Sequence, residues 1–368
     1  MGTTRNNQSR AVTKEKILSL IRHLLAQGEN AFPSERELAV RTGGSRGVIR
    51  GILEELEQQD RLRQTPNGRI IHPQANLIPL LFAAIGRNMV ENRSWAKLWF
   101  TLSRLAPEYG IKPELVLVGW PQEKALPAIR QIQESNAKYL IVTCHELFEW
   151  NKFDFNSKFT IFPDEDAVRL HDHVISLDNR EAGRLAARTL HQAGYRKPAL
   201  IADDFSFSYL PLEQRAEGFL EECRRLEITL HEKDVFQIPL YVGISEKEIL
   251  LRVVTTGERI AKANCYDSLF YITDERVPLL CDTLMDLGIS LPEQMGILSL
   301  NASNTSQHYR RFPFTTLSAA TEEIAVKILE TVAAADNAAL DTLKPIRITP
   351  GIHNLETLYK KKGNETCA

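Results

Sequence analysis

The sequence predicts an α/β protein: a small helical head followed by a larger body of two lobes. Three observations lead there. Apolar residues recur at helical spacing up to Leu56. A hairpin signal, Pro66-Asn67-Gly68, follows. From residue 77 short apolar runs alternate with amphipathic helical stretches, the pattern of a parallel sheet with crossover helices.

In the head, Ile17, Leu18, Ile21, Leu24 and Leu25 make one apolar stripe of a first helix over 14–27, stopped by Gly28. Ser34 followed by Glu37 is a capping box for a second helix running to about Arg41. Thr42-Gly43-Gly44 breaks it. A third helix starts at Ser45, buries Val48, Ile49, Ile52, Leu53 and Leu56, and sets Arg46 and Arg50 on its outer face. Two short strands around Gly68 complete a winged helix-turn-helix. In the body, strands are predicted at 77–85, 114–119, 138–143, 173–177, 198–203, 234–238, 267–272 and 295–300. Helices are predicted at 94–109, 122–135, 179–193, 211–226, 245–256, 274–287 and 320–334. A ligand is expected at the carboxyl ends of the strands, in the cleft between the lobes.

Composition narrows the functional classes. No apolar run approaches the roughly 18 residues of a membrane span, and the first 16 residues lack the apolar core of a secretory signal. A cytoplasmic protein is expected. Its five cysteines are scattered, without a C-x-x-C pair, and suit free thiols in a reducing compartment. Residues 1–76 hold 12 Lys/Arg against 8 Asp/Glu, a net +4, while the remainder is net −6. A basic head on an acidic body points to nucleic acid as the partner of the head alone.

Thr42-Gly43-Gly44-Ser45-Arg46-Gly47 invites comparison with the phosphate loop of a short-chain dehydrogenase. That loop needs a buried strand before it and a glycine at position 49, but a capped helix precedes it and Ile49 occupies the position. No tyrosine has a lysine four residues on, so the catalytic pair of those enzymes is missing too. No catalytic site, metal site or cofactor is expected. His171-Asp172-His173 has no third ligand nearby, and Asp203-Asp204 at a strand end more simply borders the cleft or caps the next loop.

Residues 33–72 resemble the GntR class of bacterial regulators, through Pro33-Ser34-Glu35-Arg36-Glu37-Leu38-Ala39, Ser45-Arg46-x-x-x-Arg50, the Leu53/Leu56 spacing and Gly68. The resemblance implies that Ser34, Arg36, Ser45 and Arg46 hold backbone phosphates, that Arg50 reaches base edges, and that Gly68 and Arg69 form the wing. Gly47 stands where the class usually has Thr, which alters the reading face.

The body resembles the sensor of the lactose-repressor (LacI/GalR) family, itself similar to periplasmic sugar-binding proteins. Val174 to Asn179 with Ala182-Gly183, Arg215-Ala216-Glu217-Gly218-Phe219, Asp274, Gly288 to Pro292 and Pro313 to Leu317 carry it, in the family's order. The implied ligand contacts are Arg215, Thr273 (Asn in the family), Asp274 and Asn301 (acidic in the family), with Trp95 and Phe207 as stacking aromatics. For Arg215 a surface ion pair with Glu213 or Glu217 is the alternative; Asp164 is a looser first-lobe candidate. The combination of head and body resembles arabinose-responsive repressors. It implies a repressor that binds palindromic double-stranded operator DNA as a homodimer through its first lobe and senses a small sugar, with a non-sugar ligand or a protein partner as the alternative for the sensor. The expected boundaries are a disordered 1–12, a head at 13–73, a short linker near 70–78, a sensor at 74–358 and a tail at 359–368. Lobe one would take about 77–177 and 317–340, and lobe two about 178–316 and 341–356.

Overall fold

Ser34 fixes where the second head helix begins. Its hydroxyl accepts the Glu37 N–H at 3.4 Å, and the Ser34 N–H donates to the Glu37 carboxylate at 2.8 Å. The bonded amide holds the Glu37 carboxyl below the usual carboxylate range. The computed structural model describes residues 2–73, 76–86, 93–119, 124–143, 153–155, 158–169, 173–202, 209–238, 245–301, 309, 311, 314–337, 344–353 and 357–358. Helices α1 (Gly2–Ala26), α2 (Glu35–Thr42) and α3 (Arg46–Gln58) enclose an apolar centre of Ile17, Ile21, Leu38, Ile49, Ile52 and Leu56. Strands β1 (Leu62–Thr65) and β2 (Gly68–Ile71) pair antiparallel, with Gly68 at φ 116° leaving the turn. A third extended segment lies against β2: Ala31 bridges Ile70, and the Phe32 N–H donates to the Arg69 carbonyl at 2.9 Å.

Helix α1 corrects the expectation of a disordered 1–12. It runs from Gly2, because no Pro or Gly interrupts residues 3–12 and because Arg10 and Lys14 bond Glu55 of α3 at 2.8 and 2.6 Å.

Lobe one carries parallel strands β3 (Ile78–Ile85), β4 (Ile111–Val118), β5 (Tyr139–Val142) and β6 (Phe159–Ile161), in spatial order β4-β3-β5-β6. A parallel bridge from Phe162 to Val174 adds β7 (Ile175–Leu177). Helices α4 (Arg93–Leu105) and α5 (Leu126–Glu134) connect these strands. The predicted helix over 94–109 ends early, since Pro107 tightens 106–109 into a 3-10 turn. Lobe two contains α6 (Asn179–Gln192), β8 (Pro198–Ala202), α7 (Leu210–Arg225), β9 (Val235–Gln237), α8 (Glu246–Ala263), β10 (Ser268–Tyr271), α9 (Val277–Asp286), β11 (Gly296–Asn301) and β12 (Thr315–Ser318). Its sheet order is β9-β8-β10-β11-β12, so both lobes place their second strand outside the first. That reversal opens a crevice at the carboxyl edge of each sheet.

The chain then returns through α10 (Thr321–Asn337), which packs on α4 of lobe one, and β13 (Ile346–Ile348), which pairs parallel with β7. Finally β14 (Ile352–His353) pairs antiparallel with β12. The segment 346–348 therefore belongs to lobe one, not to lobe two as its place in the sequence suggested. The open edge of β7 was available to it, and a buried edge without a partner would leave its peptide groups unbonded.

Helices α6 and α7 make the tightest packing in the body. A methyl built on Gly183 would stand 2.0 Å from the Arg215 carbonyl oxygen, and one on Gly218 would stand 2.0 Å from the Arg180 carbonyl oxygen. The two backbones touch, so Gly183→Ala or Gly218→Ala forces the helices apart. We expect a loss of about 3 kcal/mol in urea denaturation for each. Gly47→Ala, on an exposed helix face with nothing within 4 Å, is expected instead to stabilise the head by about 1 kcal/mol.

Candidate functional site

The helix contact just described places Arg215. From α7 its guanidinium Nε donates to Asn179 Oδ1 at 2.8 Å, and one Nη donates to the Ile272 carbonyl at 3.0 Å. Asn179 is itself fixed, its amide bonded to the Leu177 carbonyl at 3.1 Å. Glu217, one of the two surface partners considered for Arg215, pairs with Arg180. Arg215 lines a cleft between the lobes. Lobe one contributes Trp95 and Leu98 of α4, Asp164 and Glu165 after β6, and Ser176 of β7. Lobe two contributes Tyr209, Leu212 and Arg215 of α7 with Thr273 and Glu275 after β10, and the crossing into α10 adds Ala319, Thr321 and Ile324.

Two residues of this wall carry a buried polar atom without a partner among the described residues: Trp95 Nε1 in lobe one and Thr273 Oγ1 in lobe two. A buried polar atom left unbonded is costly. Trp95, Arg215 and Thr273 are thus brought together. Asp274 is not: it is fully buried and absent from the lining, whereas Thr273 and Glu275 on either side of it line the cleft. The expectation of a ligand contact there is corrected, and α9 begins three residues later, at Val277. Phe207 lies outside the described residues, as do Phe205, Asp203 and Asp204. Asn301 ends β11.

The carboxylates were largely missed by sequence reasoning, which singled out only Asp164. Glu165, in the run Asp164-Glu165-Asp166 that could have flagged them, is the most enclosed. Its side chain is 0% exposed, accepts from Ser176 Oγ at 2.6 Å, and pairs with Arg347 of β13 at 2.7 and 2.9 Å. Tyr209 donates to Asp164 at 2.8 Å and the Leu210 N–H donates to Asp166 at 3.2 Å, both across the lobe boundary. The acidic groups of lobe one thereby meet the amino terminus of α7, where a helix favours negative charge.

His173 is spent locally: its Nδ1 lies 3.2 Å from the Thr160 carbonyl and its ring stacks on Phe159. His171 and Asp172 lie outside the described residues. The Cys223 thiol is pushed up to about 12 by burial, and Cys281 is raised by burial as well.

In the head, Ser34, Arg36, Ser45, Arg46 and Arg50 are all exposed. Both serines cap helices, Ser45 accepting the Val48 N–H at 3.5 Å. Arg50 bonds Glu35 at 3.2 Å. Arg69 departs from the expected free wing contact: it is 19% exposed and pairs with Glu57 at 2.5 Å and Glu35 at 3.6 Å. Its place in mid-strand turns it back onto α3. Arg63 on β1, overlooked in the sequence, is exposed and pairs with Asp60 at 2.9 Å.

With this geometry in hand, the comparisons are specific. The sequence pattern of a periplasmic binding protein-like domain matches residues 187–352. The body has the periplasmic binding protein-like fold. The sucrose operon repressor of Pediococcus pentosaceus is 25% identical over 132 residues, covering 36% of this chain and 37% of that protein. The chain thus matches little more than a third of the curated relative's length. A LacI family transcriptional regulator from Mycobacterium smegmatis superposes with a TM-score of 0.59 at 15% identity, over 75% of this chain and 96% of that one. The transcriptional regulator CelR in complex with cellobiose gives 0.60 at 13%, over 88% and 98%. No helix among the described residues is long and apolar enough to cross a membrane.

The periplasmic binding protein-like body makes an asymmetric prediction at Glu165. Arg347→Ala leaves a fully enclosed carboxylate without its cation and is expected to cost about 3 kcal/mol. Glu165→Gln keeps a partner for Ser176, and the half-exposed Arg347 can turn to water, so the cost is about 1 kcal/mol. Chemical denaturation at neutral pH checks the order; a larger loss for Glu165→Gln would contradict it.

Proposed function

We propose that the chain is a transcriptional repressor whose winged head binds operator DNA and whose cleft senses a small carbohydrate. The observation that carries this reading is the interlobe cleft, lined together by Arg215, Trp95 and Thr273, the last two each with a buried polar atom that has no hydrogen-bond partner among the described residues. A sugar offers hydroxyls that both donate and accept, which suits an indole N–H, a threonine hydroxyl and a guanidinium at once. Trp95 adds an aromatic wall. The relatives named above are a repressor of a sucrose operon and a regulator complexed with cellobiose, which agrees with this ligand class.

A GntR-type head is supported by the strand pair β1–β2 after α3 and by residues 30–32 closing on β2. In this reading α3 enters the major groove with Ser45 and Arg46 on phosphates and Arg50 on base edges, while α2 presents Ser34 and Arg36 to the backbone. The wing around Gly68 approaches the backbone with Arg63 as its exposed cation. Thr273 and Asn301 would take part in ligand contacts. A homodimer through lobe one is supported by Phe100 on α4 and Leu117 on the edge strand β4, 69% and 55% exposed.

Two measurements test this. Thermal shift and titration calorimetry with sucrose, cellobiose and a set of monosaccharides should show stabilisation by at least one sugar, weakened about 100-fold by Arg215→Ala. Fluorescence anisotropy with duplexes selected from a palindromic library should show salt-dependent binding, weakened at least about tenfold by Arg46→Ala and Arg50→Ala. No response to any sugar counts against the sensor, and specific DNA binding indifferent to both arginines counts against the head assignment.

A further inference from the structure

One helix touches both the cleft and the head. Helix α10 begins with Thr321 and Ile324 in the cleft wall. Fifteen residues after its start, at Asp336, it meets the head: Asp336 accepts from Arg22 of α1 at 2.5 Å and from the Tyr139 hydroxyl of lobe one at 3.3 Å. Between these ends Ala325, Ile328, Leu329 and Val332 are fully buried, so the helix cannot bend into solvent. Seventeen helical residues span about 25 Å.

The two ends differ in character. At the cleft end the chain leaves β12 through Ala320, which is 1% exposed and holds φ 50°, a left-handed conformation that alanine disfavours. Its N–H donates to Ser318 Oγ at 3.0 Å. This is where the backbone passes from the lobe-two sheet to lobe one, so a change in the angle between the lobes must be absorbed there. At the far end the contact is polar and enclosed. Arg22 and Asp336 are 20% and 18% exposed, and Arg61 beside them is pushed below the usual arginine range by burial and by Arg22. Arg61 also bonds the buried linker residue Asn76 at 2.8 Å, and Asn76 in turn donates to the Arg61 and His72 carbonyls at 2.8 Å. The head is thus fastened to lobe one rather than hung on a loose tether.

We propose that α10 is the strut that couples the cleft to the head: a rotation at Ala320 shifts the helix as a unit, and the Arg22–Asp336 pair converts that shift into a new head orientation. This inference rests on the functional reading above, because it says how that sensor would reach that head. It names two positioning residues, Arg22 and Asp336, that touch neither DNA nor effector.

The test uses the full-length protein and two readouts. Hydrogen–deuterium exchange of amides in residues 12–25 of α1 reports docking of the head, with α8 as the reference. Anisotropy with a library-selected palindromic duplex reports DNA binding. Asp336→Asn and, separately, Arg22→Ala should each speed exchange in α1 about tenfold without altering α8. Ala320→Gly, which frees the crossing, should change α1 exchange at least about threefold in the wild-type background and leave it nearly unchanged when Asp336→Asn is present. The duplex affinity should show the same dependence. An equal response to Ala320→Gly in both backgrounds, or no response of α1, overturns the strut. If the wild type binds no duplex while the exchange coupling persists, the strut stands and the regulatory reading fails. If DNA binds and the coupling is absent, the strut alone falls.

Discussion

The chain passes between its two lobes three times, and every other feature of the body depends on where those passages lie. They follow β7, β12 and β13. All three are carboxyl ends of parallel strands, which places the moving joints and the cleft on the same edge of both sheets. Asn179, Ala319 and Thr321 lie at the passages and line the cleft as well. A molecule bound there cannot touch one lobe without bearing on a joint. Any ligand that prefers one interlobe angle must therefore shift the population of angles, and the shift is limited by the difference in its affinity for the two states.

Within that frame, small residues and charges do separate work. Gly183 and Gly218 let α6 and α7 approach until backbone meets backbone, which brings Asn179 within hydrogen-bonding reach of Arg215. Arg215 is consequently held in one orientation before any ligand arrives, and less rotamer entropy is lost on binding. The acidic run Asp164-Glu165-Asp166 has the complementary role. Glu165 ties β7 to β13, while its two neighbours reach across to Tyr209 and the first amide of α7. These interlobe bonds are partly enclosed, and they can be exchanged for ligand contacts without unfolding either lobe.

Much of this was legible from local pattern. Parallel strands enclosed by helices are apolar along their whole length, so β3, β5, β8 and β10 stood out as runs. Ser34 and Gly43 mark helix ends through chemistry that involves only a few neighbouring residues. What stayed hidden depends on distant partners. Arg347 and Glu165 are 182 positions apart, and Arg22 and Asp336 are 314. No periodicity could pair them, nor tell that 346–348 would complete the sheet of lobe one. Asp274 shows the same limit at shorter range. Its residue type suits a ligand contact, but in the turn after β10 it is Thr273 and Glu275 that line the cleft, while Asp274 is buried. Residues 30–32 escaped notice because one bridge to β2 leaves no alternating pattern to detect.

The electrostatics of the head explain why its arginines are not simply a positive surface. Arg50 and Arg69 both lean on Glu35, and Arg69 also on Glu57. For Arg50, 63% exposed, the pair with Glu35 gains little in water, so a better-placed acceptor can displace it. In the proposed complex a guanine edge offers two acceptors in one plane, which matches the guanidinium fork. A lone phosphate offers a stronger charge but a poorer geometric match, and Glu35 stays close enough to repel it. Such an arrangement lowers affinity for arbitrary duplexes more than for a site with the base correctly placed. The acidic neighbours of α3 thereby favour discrimination over raw attraction, which suits a head whose net charge is only +4.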